Sequence, residues 1–334
     1  MIRLAIAGMA HPHVLYLFNE LPRQPDVRLV AVSEPDAALR DAYTDHAAGR
    51  PVYADHREML SDHQVDVVAV NGAYADRADV ILDALTAGAQ VIADKPICTS
   101  LDQLATIEAT ASRTGNIVSA MFEKRGYPVT LAARRLLADG LLGDLSLLAS
   151  TGPHQLRHRK RPPWFFGKDY GGILGDLAVH DADMVLALTG ATGGHVVGST
   201  GKRAYPEYPQ FHDHGAMLLV AGDTTATIDA HWLAPEAARG NGGYEMRIVG
   251  TRGTAQLRWT EARLDVATHG RDAWQETLPP GRRPAEDFFT ALLSGRAPEV
   301  STTETITASR IALLAQHSAD NGGTVEHWSQ THSG

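Results

Sequence analysis

The sequence predicts two domains of different class: an N-terminal α/β domain with a doubly wound parallel sheet, and a C-terminal α+β domain with a large, mostly antiparallel open sheet. In the first part of the chain, short apolar segments alternate with helix-like segments; in the second part, strand-like segments follow one another with turn signals between them. The length of 334 residues agrees, because one core rarely exceeds about 250–300 residues. We place the boundary between 1–122 and 123–334.

The strands of the N-terminal domain are predicted from apolar segments that are rich in β-branched residues. Their apolar residues are continuous, which is typical of parallel strands covered by helices on both faces. Two of the helices between them carry terminal signals, a glycine after the last turn in both and a Thr/Ser cap before one. The strand segments are 2–8, 27–33, 65–71, 89–94 and 116–122, and these two helices are 75–88 and 99–115.

The second domain is predicted to contain two early helices, a series of short strands and a helical end. Turn residues between the strands favour an antiparallel sheet with helices on one face. The helices are 129–140 and 173–189, and the strands are 145–150, 194–200, 215–222, 224–233, 244–250, 253–259 and 262–268. The last helical segments, 284–295 and 303–319, are expected to pack back toward the first domain.

Composition and charge narrow the class of partner. A formal net charge of −9 argues against nucleic acids and anionic membranes, and the longest basic run is the short segment 157–161. No apolar segment approaches the ~18 residues that span a bilayer, and the first residues lack the pattern of a signal peptide. With a single cysteine, Cys98, no intramolecular disulfide can form. We therefore expect a cytoplasmic protein with a small-molecule substrate.

The loop after the first strand matches the glycine fingerprint of dinucleotide-binding domains only in part. That fingerprint would place glycine at positions 8, 10 and 13, where this chain has Gly8, Ala10 and His13. Glu34 follows the second strand, where a carboxylate accepts hydrogen bonds from the adenosine ribose hydroxyls. Because Glu34 would repel a 2′-phosphate, we predict NAD as the cofactor, with NADP the less favoured choice. The alternative for Glu34 is a solvated loop charge.

Two further segments carry groups that suit proton chemistry. Lys95 follows the strand 89–94, at the carboxyl end where ligands bind in open α/β sheets. Asp176 and His180 are four residues apart, so on a helix they would share one face. Histidine is a competent base near neutral pH, and a carboxylate can orient it. The alternatives are a surface lysine and a capped helix with a satisfied histidine.

Together these segments resemble the motifs of the Gfo/Idh/MocA family, named for glucose–fructose oxidoreductase and inositol dehydrogenase. The family has Glu-Lys-Pro after this strand; here Lys95 and Pro96 match, and Asp94 replaces the glutamate. A later family segment has three glycines, then Asp, a His four residues on and an Asp three later. The matching residues here are Gly171, Gly172, Asp176, His180 and Asp183, with Ile173 in place of the third glycine. Further agreement lies at 164–166, Arg125, Pro128 and 244–257, so the similarity covers nearly the whole chain in order.

The resemblance implies a Rossmann domain and an NAD(P)-dependent oxidoreductase that acts on a secondary hydroxyl of a sugar, polyol or related molecule. It implies that Lys95 positions the hydroxyl and the nicotinamide, while His180 exchanges the proton and Asp176 orients it. The predicted cofactor contacts are Gly8, Met9, Ala10, His11, Pro12, His13, Glu34, Asn71, Gly72, Asp94 and Lys95. The predicted substrate contacts are Lys95, Glu123, Arg125, His154, Trp164, Asp176 and His180.

Two departures from the family pattern affect the predicted site. Glu123 stands where asparagine is common, which adds a carboxylate near the nicotinamide and indicates an altered substrate pocket. Arg77 stands where the family often has histidine; it either contacts a phosphate or is solvated.

Other functions stay open at this point. Sixteen histidines allow a divalent metal to join Asp176 and His180, although the usual ligand spacing is missing and we predict no metal. NAD-assisted elimination, epimerisation or glycoside cleavage, and a non-catalytic cofactor-binding sensor, are further alternatives. The pairs His11/His13 and His212/His214 have no assigned role. Strands 216–222 and 226–233 carry apolar residues on both faces, so we expect a homodimer or homotetramer joined through the C-terminal sheet.

Overall fold

The computed structural model describes residues 1–330 and divides into two compact units. The first unit comprises Met1–Phe122 and Arg283–Ile306, and the second comprises Glu123–Arg282 and residues 307–330. The predicted boundary placed 283–306 with the C-terminal domain, whereas these residues cluster with the first unit. Among residues 1–330, no helix combines the length and the apolar content that a membrane crossing requires.

The first 122 residues form six strands and five helices. The strands are β1 (Ile2–Ala7), β2 (Val27–Ser33), β3 (Val52–Tyr53), β4 (Val67–Val70), β5 (Gln90–Ala93) and β6 (Val118–Ala120). The helices are α1 (Val14–Glu20), α2 (Ala37–Ala42), α3 (His56–Asp62), α4 (Arg77–Thr86) and α5 (Leu101–Thr114). All six strands are parallel, in the order β3-β2-β1-β4-β5-β6 of a doubly wound dinucleotide-binding sheet.

The parallel sheet is buried because helices cover it. Leu4 and Ile6 on β1 are fully buried, as are all four residues of β4. Phe288 and Phe289 from the end of the chain join this core. At the sheet edge, the β6 amides of Val118 and Ala120 donate to hydroxyl groups of the 283–306 segment, each at 3.0 Å. These two amides of the edge strand are therefore satisfied by side chains.

The second unit contains two helices and most of a nine-stranded sheet between residues 123 and 282. The helices are α6 (Pro128–Ala138) and α7 (Val179–Thr189). The strands are β7 (Leu145–Pro153), β8 (Gly193–Gly201), β9 (His214–Ala221), β10 (Thr224–His231), β11 (Glu245–Gly250), β12 (Gly253–Arg258), β13 (Arg263–Thr268) and β14 (Arg271–Gln275). The chain then forms α8 (Glu286–Leu293), α9 (Thr302–Asp320) and β15 (Glu326–Ser329).

The strand order of this sheet is β14-β13-β12-β11-β7-β10-β9-β8-β15. Only β7 and β10 pair in parallel, so the sheet is mostly antiparallel, and the predicted fold class is confirmed. Burial alternates along β9 and β10, as in a sheet with one packed face and one open face. The open face carries Leu147 and Leu218, whose exposed fractions are 50% and 43%.

Candidate active site

Gly8 brings the end of β1 against the end of β4. Its φ of +86° lies in the left-handed region that favours glycine. A Cβ at this position would lie 2.3 Å from both the Cα and the N of Gly72. The one glycine of the fingerprint that this chain keeps is therefore required by a close approach of two backbones. The other predicted residues of this loop, up to His13, lie between β1 and α1.

Glu34 at the end of β2 is buried, which excludes the solvated alternative. Its Oε2 accepts a hydrogen bond from the Met9 amide at 2.5 Å, and its Oε1 accepts one from the Asp36 amide at 3.0 Å. Burial raises the pKa of Glu34, and the two backbone donors partly oppose this rise. The carboxylate thus tethers the β1–α1 loop to β2, at the place where the ribose contact is predicted.

Asn71 follows β4 and has unmet hydrogen-bonding capacity. Its side chain is fully buried, and within residues 1–330 neither its Oδ1 nor its Nδ2 has a hydrogen-bond partner. Leaving a buried amide unsatisfied costs about 1–3 kcal/mol per group. An amide in this state at the carboxyl end of a parallel strand fits a ligand-binding role.

Asp94, directly after β5, is saturated with donors. His13 Nδ1 and the Lys95 amide contact its Oδ1 at 2.8 and 2.9 Å, and His11 Nδ1 and Arg77 Nη2 contact its Oδ2 at 3.0 and 2.8 Å. Burial alone would raise the pKa of Asp94, but His13, Arg77 and His11 outweigh it and hold the pKa well below its usual range. Burial also lowers the pKa of His11 to about 4, against the attraction of Asp94.

Arg77 is fully buried, so the solvated alternative is wrong for this residue as well. Besides its ion pair with Asp94, it donates through Nε to the Gly72 carbonyl and through Nη1 to the Pro96 carbonyl, both at 2.9 Å. One guanidinium thereby joins the segments that follow β4 and β5. Lys95 lies in sequence between Asp94 and Pro96, two of the residues that Arg77 contacts, and it is itself buried.

These features fit a dinucleotide cofactor at the carboxyl ends of the parallel strands. Gly8 lets the ends of β1 and β4 approach each other closely, and Asn71 there offers an unsatisfied amide. Glu34 would hold the ribose hydroxyls, and the loop from Gly8 to His13 would face the diphosphate. Two glycines of the fingerprint are absent: the Ala10 methyl group stands where the backbone usually approaches the diphosphate, and His13 stands where the helix usually packs closely on the strand.

In the second unit, the predicted helix 173–189 is interrupted at its start. Leu174–Ala178 forms a π-helical turn, and α7 begins only at Val179. The predicted single α-helix is therefore corrected: Asp176 lies on the π turn and His180 on the first turn of α7. Such turns are rare and occur often at functional sites. Both residues are buried, and the exposed fraction of His180 is 7%.

The 3₁₀ turn Glu123–Gly126 packs against α7 through charged residues. Lys124 Nζ lies 2.7 Å from Asp181 Oδ1, and Arg125 Nη2 lies 2.6 Å from Asp183 Oδ1. All four residues are buried. Arg125 is thus engaged by Asp183, which favours a structural role over the predicted substrate contact.

Glu123 faces His180 from the same turn. Its Oε1 lies 3.5 Å from His180 Nε2, and the exposed fractions of the two side chains are 11% and 9%. Among residues 1–330 the other oxygen, Oε2, is buried without a hydrogen-bond partner. The second unit therefore holds a largely buried carboxylate–imidazole pair, which suits proton exchange.

The remaining predicted substrate residues lie in aromatic surroundings of the second unit. The His154 ring is 4.9 Å from Trp232, and His154 Nδ1 contacts the Tyr244 hydroxyl. The Trp164 ring is 5.9 Å from Phe165. These contacts leave the substrate roles of His154 and Trp164 as predictions.

The histidine pairs left without a role have ordinary polar partners. His212 Nδ1 lies 2.8 Å from Thr200 Oγ1, and His214 Nδ1 lies 2.7 Å from Asp213 Oδ1. Within residues 1–330, the group of at least three donors close enough to hold a metal ion is His11, His13 and Asp94, whose donor atoms lie within 4.8 Å of one another. That group does not include Asp176 or His180, the residues of the metal alternative.

Fold and site together define an oxidoreductase built on an NAD-binding domain, and comparison with known families agrees. A family model described as an oxidoreductase family with an NAD-binding Rossmann fold matches residues 2–122. A second model, the GFO/IDH/MocA C-terminal domain, matches residues 130–256. The chain belongs to the Gfo/Idh/MocA family.

Individual relatives are similar over most of their length. The scyllo-inositol 2-dehydrogenase (NAD(+)) of Bacillus subtilis (strain 168) is 24% identical, with 97% of this chain and 96% of the relative covered. The D-xylose 1-dehydrogenase (NADP(+)) 2 of Haloferax volcanii is 25% identical, with 89% and 91% covered. A solved structure from Thermotoga maritima has a TM-score of 0.89 at 21% identity, covering 98% of this chain and all of that one, and this likeness shows the fold.

Proposed function

We propose that the protein is an NAD-dependent dehydrogenase that oxidises a secondary hydroxyl of a sugar or polyol. The observation that carries this proposal is the largely buried pair of His180 and Glu123 beside Asp176, since a base near neutral pKa is what alcohol oxidation requires. The motif that contains Asp176 and His180 resembles that of the family, and two relatives that are similar over most of their length are named as inositol and xylose dehydrogenases.

Each residue has a distinct task in this proposal. The bound cofactor supplies the two-electron oxidant. His180 accepts the hydroxyl proton, and Asp176 orients its imidazole. The Lys95 ammonium holds the same hydroxyl and stabilises the negative charge that develops on its oxygen as the proton leaves. NAD is favoured over NADP because Glu34 would repel a 2′-phosphate, although the xylose relative is named for NADP.

A homodimer or homotetramer remains part of the proposal. The open face of the nine-stranded sheet exposes Leu147 on β7 and Leu218 on β9, and exposed apolar patches often mark interfaces. We propose that a second copy of this chain covers the face. Light scattering at micromolar concentration should give at least twice the mass of one chain, and a monomer would contradict this part.

The function is tested by a panel of cyclitols, alditols and aldoses with NAD as oxidant. We expect NADH absorbance to rise with at least one neutral polyhydroxy compound. Lys95→Met should lower kcat and raise KM for that compound, whereas the exposed control Lys168→Met should retain both values. Product masses are followed in parallel, because altered substrate without net NADH would favour elimination, epimerisation or glycoside cleavage over oxidation. A panel with neither outcome would contradict the proposal.

A further inference from the structure

Three consecutive residues of the 3₁₀ turn face three charged or titratable residues of α7. Glu123 faces His180, Lys124 faces Asp181, and Arg125 faces Asp183, at 3.5, 2.7 and 2.6 Å. These three pairings set the turn and the start of α7 side by side. Two of the pairs are closed ion pairs, whereas the pair with His180 is not.

The two closed pairs hold the turn rigidly. Ser150 Oγ also donates to Asp181 Oδ1 at 2.6 Å, and Arg125 contacts both carboxylate oxygens of Asp183. The Lys124 ammonium lies 4.6 Å from the ring centroid of Trp259. Buried ion pairs of this kind stabilise little by themselves but define one geometry, because each charge is costly without its partner. The position of Glu123 relative to His180 is therefore fixed by its neighbours.

Within residues 1–330, the charged contact of Glu123 is the imidazole of His180. The lysine and arginine beside it in sequence are taken by Asp181 and Asp183, and Oε2 has no hydrogen-bond partner within residues 1–330. A largely buried carboxylate in that state is unfavourable unless a positive charge appears beside it. The group able to supply that charge at 3.5 Å is the imidazole of His180, once it has taken up a proton.

We propose that Glu123 is a positioning residue that stabilises the protonated form of His180. It thereby sets the pH at which His180 changes from acid to base. The pairing rests on the geometry of the second unit; its meaning for turnover rests on the proposed function, in which His180 exchanges the substrate proton. An ionised carboxylate at this distance stabilises an imidazolium, and opposite charges this close typically change a pKa by about 1–3.

Other titratable groups on the elements packed around α7 must be considered too. The π turn carries Asp176, and α7 carries the two aspartates already paired. Burial raises the pKa of Asp229 on β10, while His231 on the same strand opposes the rise. Besides Glu123 and His180, the charged or titratable residues on these elements are Asp176, Asp181, Asp183, Lys124, Arg125, Asp229, His231 and His214. None of these groups is changed in the Glu123 variants of the test below, so they are common to those variants and the wild type.

The test is an NMR titration of the whole chain labelled with ¹³C at the histidine ε1 position. The His180 signal is assigned by its loss in His180→Asn. In Glu123→Gln we expect its titration midpoint to fall by about 1 unit or more, because the neutral amide no longer stabilises the imidazolium. Glu123→Met serves if the amide variant does not fold, since an apolar side chain avoids a buried unsatisfied group. Glu123→Asp should restore part of the wild-type midpoint.

A matched control exists in the same unit. Glu326 Oε1 lies 3.0 Å from His317 Nδ1 on an exposed surface, so Glu326→Gln removes an equivalent carboxylate from another histidine. That variant should leave the His180 midpoint unchanged. A His180 midpoint that Glu123→Gln and Glu123→Met leave at the wild-type value would overturn the proposal. The titration needs no substrate, so its outcome does not depend on the polyol panel. If the panel fails, only the proposed function is contradicted.

Discussion

Asp94 and Glu123 are two poorly exposed carboxylates, one in each unit, and they differ in how their charge is balanced. Asp94 is contacted by four donors, among them the buried guanidinium of Arg77. Glu123 has a 3.5 Å contact with His180 and an oxygen without a hydrogen-bond partner among residues 1–330. A saturated carboxylate fixes structure, whereas an incompletely satisfied one remains available for proton exchange. The comparison predicts that changes around Asp94 affect stability and changes around Glu123 affect turnover.

The largest expected effect is on turnover, in the second unit. His180→Asn should lower kcat for the substrate found in the panel by about 10²–10⁴-fold, the usual contribution of one positioned base. The free energy of unfolding should change little by comparison. Steady-state kinetics and denaturant titration measure the two quantities, and His195→Asn on β8 is the control. A near-normal kcat in His180→Asn would contradict the claim that the surroundings of Glu123 control turnover.

The next effect is on stability, in the first unit. Arg77→Met should lower the free energy of unfolding by about 3–5 kcal/mol, because it leaves Asp94 buried without its fixed cation. Arg3→Met is the matched control: its ion pair with Asp66 is partly exposed and should contribute about 0–1 kcal/mol. Chemical denaturation compares the two variants. Equal losses would show that Asp94 does not depend on Arg77.

His11 adds a pH dependence to the first unit. Its pKa in the folded state is depressed to about 4, so the native state binds fewer protons than the unfolded state between about pH 4 and 6.5. The stability that neutral His11 contributes is thus present above pH 6.5 and is lost as the pH falls through 4. The loss should be on the order of 3 kcal/mol. Denaturation at several pH values should show a smaller slope in His11→Gln, and an unchanged slope would contradict this role.

The smallest effect concerns the choice of cofactor. With Glu34 at the ribose, kcat/KM should be at least about tenfold higher with NAD than with NADP, or ~1.4 kcal/mol. Glu34→Gln should narrow that ratio, because the amide does not repel a 2′-phosphate. Kinetics with both cofactors decide the point. Equal kcat/KM values with NAD and NADP in the wild type would contradict the assignment of Glu34 to the ribose.

Much of the fold could be predicted because most of its strands carry apolar residues in a continuous or alternating pattern. The continuous apolar segments of β1, β2 and β4 indicated a covered parallel sheet, and this prediction was confirmed. The strands β3, β14 and β15 were missed. β3 has only two residues, and β14 and β15 are mostly polar, so none of the three carries an apolar pattern.

The site was predictable where its residues form local motifs. Asp176 and His180 are close in sequence, and the structure places Asp176 on the π turn and His180 on the first turn of α7. The π turn carries no sequence signal, so one regular helix was expected. The partners of Arg77 and Lys124 were missed because they lie 17 and 57 residues away along the chain. Such pairings depend on tertiary structure, and spacing in one sequence does not reveal them.

The most direct test of the central claim follows the hydrogen that leaves the carbon. The polyol that is active in the panel is prepared with deuterium on its hydroxyl-bearing carbons and incubated with NAD and the wild-type protein. We expect reduced cofactor that carries the deuterium, together with the corresponding ketone, and we expect His180→Asn to slow the formation of both equally. Conversion of the polyol with no deuterium in the cofactor would contradict hydride transfer as the function of this protein.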